Sequence, residues 1–140
     1  QILEEADEEI VYLSMYGQAK CGPNGLLLTG NPIDRVPVAT KMLGFPSKDA
    51  FLIKAKGSSM QPKIKDGDIV IARRSNNAAK GTVVVCAHKG EAMIKRYQPA
   101  DDRQVVLTSI NPEYAPIITD HDELRIEGIV RGIISYTEIN

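Results

Sequence analysis

Ser59 stands in Gly57-Ser58-Ser59-Met60-Gln61-Pro62, directly after an apolar run and before a turn. Gly57 can take backbone angles closed to larger residues, and Pro62 ends regular structure just past the serines. A serine on such a turn presents its hydroxyl at an open surface. The backbone N–H groups of Ser58 and Ser59 are then free to hold a developing oxyanion. The chemistry would be nucleophilic attack on a carbonyl. A Gly-Ser-Ser turn without any chemistry is the blander reading of the same residues.

A serine attacks only when a base takes its proton. His88 lies in an apparent hairpin turn, His88-Lys89-Gly90-Glu91, and His121 in the charged run Asp120-His121-Asp122-Glu123. Both read as exposed loop histidines, so a Ser-His-Asp triad is not favoured. Lys95 is the better candidate. In Ala92-Met93-Ile94-Lys95-Arg96-Tyr97, strand alternation puts Met93, Lys95 and Tyr97 on one face. Burial between Met and Tyr would disfavour the ammonium and leave an amine able to accept a proton near neutral pH. An edge-strand lysine whose stem packs while its head reaches water satisfies the same pattern.

The elements that would carry these groups are mostly strands. The sequence predicts strands at Val11 to Tyr16, Phe51 to Lys56, Ile69 to Ala72 and Thr82 to Ala87. Others are predicted at Ala92 to Tyr97, Gln104 to Ser109 and Glu123 to Tyr136. Asp66-Gly67-Asp68 reads as a turn opening one of them. Residues 17–30 carry Gly17, Gly22, Pro23, Asn24, Gly25 and Gly30 and read as an extended loop. Asn31 to Pro46 reads as irregular, with Pro32, Pro37, Gly44 and Pro46 as breakers. The expected class is mainly β: a compact domain of short, strongly bent antiparallel sheets.

Composition bounds the function. A chain of 140 residues fits one domain. Its 17 basic residues are offset by 18 acidic ones, which argues against a domain built to grip phosphate backbones. Cys21 and Cys86 lack C-x-x-C spacing, so neither a disulfide framework, a zinc site nor any other cofactor is expected, and a reducing compartment fits. No apolar run is long enough to span a bilayer. Residues 1–10 are acidic; they read as a linker, or as a short amphipathic helix, ahead of a domain over 11–140. The first residue is Gln1, not Met, which reads as a processed product or an excised fragment.

Several ordered motifs together resemble one family. Gly57 to Pro62 followed by Asp66-Gly67-Asp68 looks like the nucleophile region of LexA-type repressors, phage repressors and UmuD-like mutagenesis proteins. Ile94-Lys95-Arg96 resembles that family's base-bearing strand, and Lys95 follows Ser59 by 36 positions (95 − 59), close to the family's separation. Asn111-Pro112-Glu113-Tyr114-Ala115-Pro116-Ile117 and Ile126-Glu127-Gly128-Ile129-Val130 resemble its later segments. The likeness runs from about Tyr16 to Tyr136.

The resemblance implies a fold like the C-terminal domain of LexA and a serine–lysine dyad that cuts its own chain once. Cys21-Gly22 occupies the place of the family's cleavage site. Neutral Lys95 would take the proton of Ser59, Ser59 would attack the Cys21 carbonyl, and Gly22 would leave as a new N-terminus. Two features depart from the pattern: Lys20, where repressors tend to have a small apolar residue, and Ser58, where many members carry Met or Asp. Implied partners are a second copy of the chain, docked through Ile126 to Tyr136, and the RecA filament on single-stranded DNA. Operator DNA would be bound only through a domain upstream of Gln1, and a regulatory protein is a further implied partner. The setting is the bacterial cytoplasm, in an SOS or prophage-induction role. A stand-alone UmuD-like modulator of an error-prone polymerase is the alternative. A signal-peptidase-like enzyme acting in trans and a non-catalytic β-rich binding module are weaker ones.

Overall fold

Runs such as Phe51-Leu52-Ile53 and Val83-Val84-Val85 suit a pleated surface buried on both faces, and they form the middle of the molecule. The computed structural model describes residues 9–18 and 27–139. Nine strands are seen: β1 Ile10–Tyr16, β2 Asp34–Ala39, β3 Ala50–Lys54, β4 Ile69–Arg74, β5 Val83–His88, β6 Glu91–Pro99, β7 Gln104–Thr108, β8 Ile117–Asp120 and β9 Leu124–Ile134. They pair into one sheet in the order β2-β1-β3-β4-β9-β5-β6-β7-β8. The mainly β class is as expected from sequence. The sheet is mixed rather than purely antiparallel, because β1 and β3 run parallel. Among the described residues no helix is long and apolar enough to cross a membrane.

Two strands lie where the sequence suggested none. β2 falls within the stretch read as irregular, and Pro37 sits inside it, opposite Tyr12 of β1. Proline is tolerated there because β2 is at the sheet edge and needs no second row of ladder bonds. β8 is the opposite edge, only four residues long. His88 also differs from its expected exposure. It ends β5 with 7% of its surface exposed, and Nε2 lies 3.0 Å from Thr119 Oγ1. The hairpin turn tightens to Lys89-Gly90, with His88 and Glu91 paired across it. His121 lies in a short 3₁₀ turn, its Nε2 against the Asp101 carbonyl at 3.0 Å.

β9 holds the sheet together, since it pairs with β4 on one side and β5 on the other. Its register slips twice. Against β5 it passes from Gly128 opposite Val85 to Ile126 opposite Cys86, so Glu127 is an extra residue. Against β4 it passes from Gly132 opposite Ile71 to Val130 opposite Ala72, so Arg131 is another. Each bulge exchanges the faces of the strand. Ile126 therefore packs with Val84, Cys86 and Leu107, Val130 with Phe51, Ala72 and Val85, and Ile134 with Leu52 and Ile71.

Gly128 sits where this strand passes the core. A Cβ there would stand 2.7 Å from the Phe51 ring and 2.9 Å from the Arg73 carbonyl oxygen. Phe51 is fully buried, and a backbone oxygen cannot step aside cheaply. Gly128→Ala is expected to destabilise the fold by about 1–3 kcal/mol, the usual cost of overpacking. A urea unfolding midpoint equal to that of the wild type would contradict this account.

Candidate active site

The turn after β3 is pinned from below by Met60 and Ile64, both buried in the cluster around Phe51 and Ile53. Gly57 takes a φ of +86°, and its N–H donates to Asp66 Oδ1 at 2.7 Å. Asp68 is buried; it accepts from the Lys65 N–H at 2.8 Å and from Ser135 Oγ at 2.7 Å. The sequence marked Asp66-Gly67-Asp68 as a turn and as part of the motif that resembles the family's nucleophile region. In the fold its two carboxylates tie down the loop that carries the serines.

Ser58 and Ser59 are half-buried on this turn. The Ser58 hydroxyl lies 2.9 Å from Tyr114 Oη. The Ser58 carbonyl accepts from Asn111 Nδ2 at 3.0 Å, and the Ser59 carbonyl from the Asn111 N–H at 2.9 Å. Ser58 thus has its hydroxyl engaged and both carbonyls are taken up; Ser58 and Ser59 both line a cleft of about 280 Å³.

Lys95 lines the same cleft from β6. Only 8% of it is exposed, which rules out the water-reaching edge lysine. Its neighbours Met93 and Tyr97 pack against the cluster of Val84, Cys86 and Leu107, as alternation predicted. Burial of the ammonium pushes the Lys95 pKa below its ordinary value of 10.5, opposed by the Cys86 and Tyr114 side chains. Nζ donates to Ser109 Oγ at 2.7 Å and stands 5.7 Å from the centre of the Tyr114 ring. One segment, Ser109 to Tyr114, therefore grips both the serine turn and the lysine. Sequence patterning did not single out Ser109, Asn111 or Tyr114 for this task. Polar and aromatic residues in a loop carry no periodic signal.

Gln18 closes the cleft on another side. Its Oε1 accepts from the Lys56 N–H at 2.8 Å, just before the serine turn. Cys21 and Gly22 lie outside the described residues.

Such a site holds a nucleophile candidate, a desolvated amine and free volume for a peptide. The model of the Peptidase S24-like family matches residues 14–131. The chain is 37% identical over 111 residues to a LexA repressor of Ralstonia nicotianae, covering 77% of this chain and 50% of that protein. A LexA repressor of Syntrophotalea carbinolica is 37% identical over 120 residues, covering 80% and 58%. One of Clostridium novyi is 32% identical over 137 residues, covering 95% and 65%. The chain thus spans about half to two thirds of the length of these curated relatives.

Proposed function

This chain belongs to the peptidase S24-like family, and on that footing we propose that it is the self-cleavage and dimerisation domain of a LexA-like or phage-repressor-like protein. The observation that carries the proposal is the shared cleft, with Ser59 on one wall and the buried, pKa-lowered Lys95 on the other. Lys95, as the neutral amine, takes the Ser59 proton. Ser59 Oγ then bonds to the carbonyl carbon of Cys21, and the amides of Ser58 and Ser59 hold the oxyanion. The C–N bond to Gly22 breaks, the Gly22 amine leaves with the proton from Lys95, and water releases the Cys21 acid. Ser109 orients the amine in this scheme, since its hydroxyl holds Nζ in place.

The substrate is the chain's own loop, so high effective concentration offsets an imperfect nucleophile. Mass spectrometry after alkaline incubation tests the proposal through fragments of 21 and 119 residues, the two parts of a chain of 140. In the same reading residues 1–10 link to an upstream DNA-binding domain, RecA filaments on single-stranded DNA stimulate the cut, and the protein works in the bacterial cytoplasm. A parent reading frame without helix-turn-helix residues ahead of Gln1 would favour the UmuD-like alternative.

Dimerisation is assigned to the segment Ile126 to Tyr136. Both edges of β9 are occupied within the sheet, so the contact must use side chains beyond its core-facing positions, such as Ile133 and Tyr136, which are 40% and 87% exposed. Sedimentation at micromolar concentration is expected to show a dimer. A monomer at high micromolar concentration would remove this interface.

A further inference from the structure

Glu127 is a buried carboxylate that the dyad chemistry leaves unused. It is 8% exposed and is the extra residue at the β9 bulge against β5. A bulge re-aims the side chain it carries. This one turns Glu127 toward the start of the short 3₁₀ turn Leu27–Thr29. Oε2 accepts from the Leu27 N–H at 2.6 Å, and Oε1 from the Leu28 N–H at 3.2 Å. Leu27 itself is 1% exposed and sits in the cluster around Phe51. A carboxylate is costly to bury without partners, and the two charge-assisted bonds supply them.

The position of this contact along the chain is informative. Leu27 follows residues 19–26, and Gln18 precedes them. Gln18 is held by the Lys56 amide at the mouth of the cleft. Both ends of an eight-residue stretch are therefore anchored, one beside the serine turn and one on β9. By sequence, Cys21 lies three residues past the first anchor. Three residues of chain reach at most about 10 Å.

We infer that Glu127 is a positioning residue for self-cleavage. Its bonds to the Leu27 and Leu28 amides fix the point where the chain re-enters the fold, as the Gln18 bond fixes the point where it leaves beside the serine turn, and these two fixed points govern how often the proposed scissile bond meets Ser59. The inference rests on the Ser59–Lys95 reading above. Tethering acts on the encounter between loop and dyad and leaves the ionisation of Lys95 alone. The two effects are therefore separable in a pH–rate profile.

The experiment compares wild-type chain with Glu127→Gln, which keeps size but replaces one acceptor oxygen by a donor facing an N–H. Self-cleavage is followed across pH at a temperature where melting curves show both proteins folded. The expected result is a plateau rate lowered tenfold or more, with the midpoint of the profile unmoved. A plateau within twofold of wild type overturns the proposal. So does a fall accompanied by a shifted midpoint, which would mean that the dyad itself was disturbed. If Glu127→Gln does not fold, Glu127→Asp, which keeps the charge and shortens the reach, is read by the same two criteria. A wild-type chain that fails to cut at any pH overturns the dyad reading first and the tether with it.

Discussion

Ser59→Ala and Lys95→Ala are each expected to abolish the appearance of the 21- and 119-residue fragments, lowering the rate by at least about a thousandfold. The loss should be nearly as complete for either variant, because the two groups act as one unit: an unactivated serine hydroxyl is a weak nucleophile, and an amine without a serine has nothing to activate. The surroundings explain why Ser59 rather than its neighbour is named. The Ser58 hydroxyl is already engaged by Tyr114 Oη, although Ser58, Ser59 and Lys95 all line one cleft. Fragments that persist in Ser59→Ala or in Lys95→Ala would refute the assignment of the dyad.

The rate of self-cleavage is expected to rise about tenfold per pH unit and to level off below 10.5, the ordinary pKa of lysine. The sign follows from the role of Lys95. Only the neutral amine can accept a proton, so the rate follows the neutral fraction, which grows with pH and saturates above the folded-state pKa. Burial lowers that pKa, which moves the whole profile toward neutrality. Ser109 adds a second readout. Its oxygen accepts from Nζ at 2.7 Å and so favours the charged form. Ser109→Ala should move the midpoint to lower pH and also cut the plateau about ten- to a hundredfold, the equivalent of one lost hydrogen bond to a charged group. A profile flat across the alkaline range would mean that Lys95 is not the base. An unmoved midpoint in Ser109→Ala would mean that the serine does not touch the reacting amine.

The contacts behind these three variants differ in how far the sequence reveals them. Lys95 could be placed on a strand face with Met93 and Tyr97 from alternation alone, because a pleat has a period of two wherever it occurs. The bond from Lys95 to Ser109 joins segments brought together by the pairing of β6 with β7, and the grip of Asn111 on the serine turn joins residues 53 positions apart. No periodicity in one segment reports on its distance from another.

The sequence by itself determined the β character, most of the strands, the glycine at the serine turn and the order of the motifs that mark the family. These follow from local rules: which side chains suit a pleat, which residues permit a turn, and which types can do acyl chemistry. The tertiary structure alone decided that Lys95 is buried rather than snorkelling, that His88 is internal, and that β2 tolerates Pro37 because it is an edge. It alone also placed the Glu127 carboxylate on the amides of Leu27 and Leu28, 100 and 99 positions away respectively. Burial, edge position and bulges depend on what packs alongside, and for β9 that means strands on both sides whose registers slip at Glu127 and Arg131.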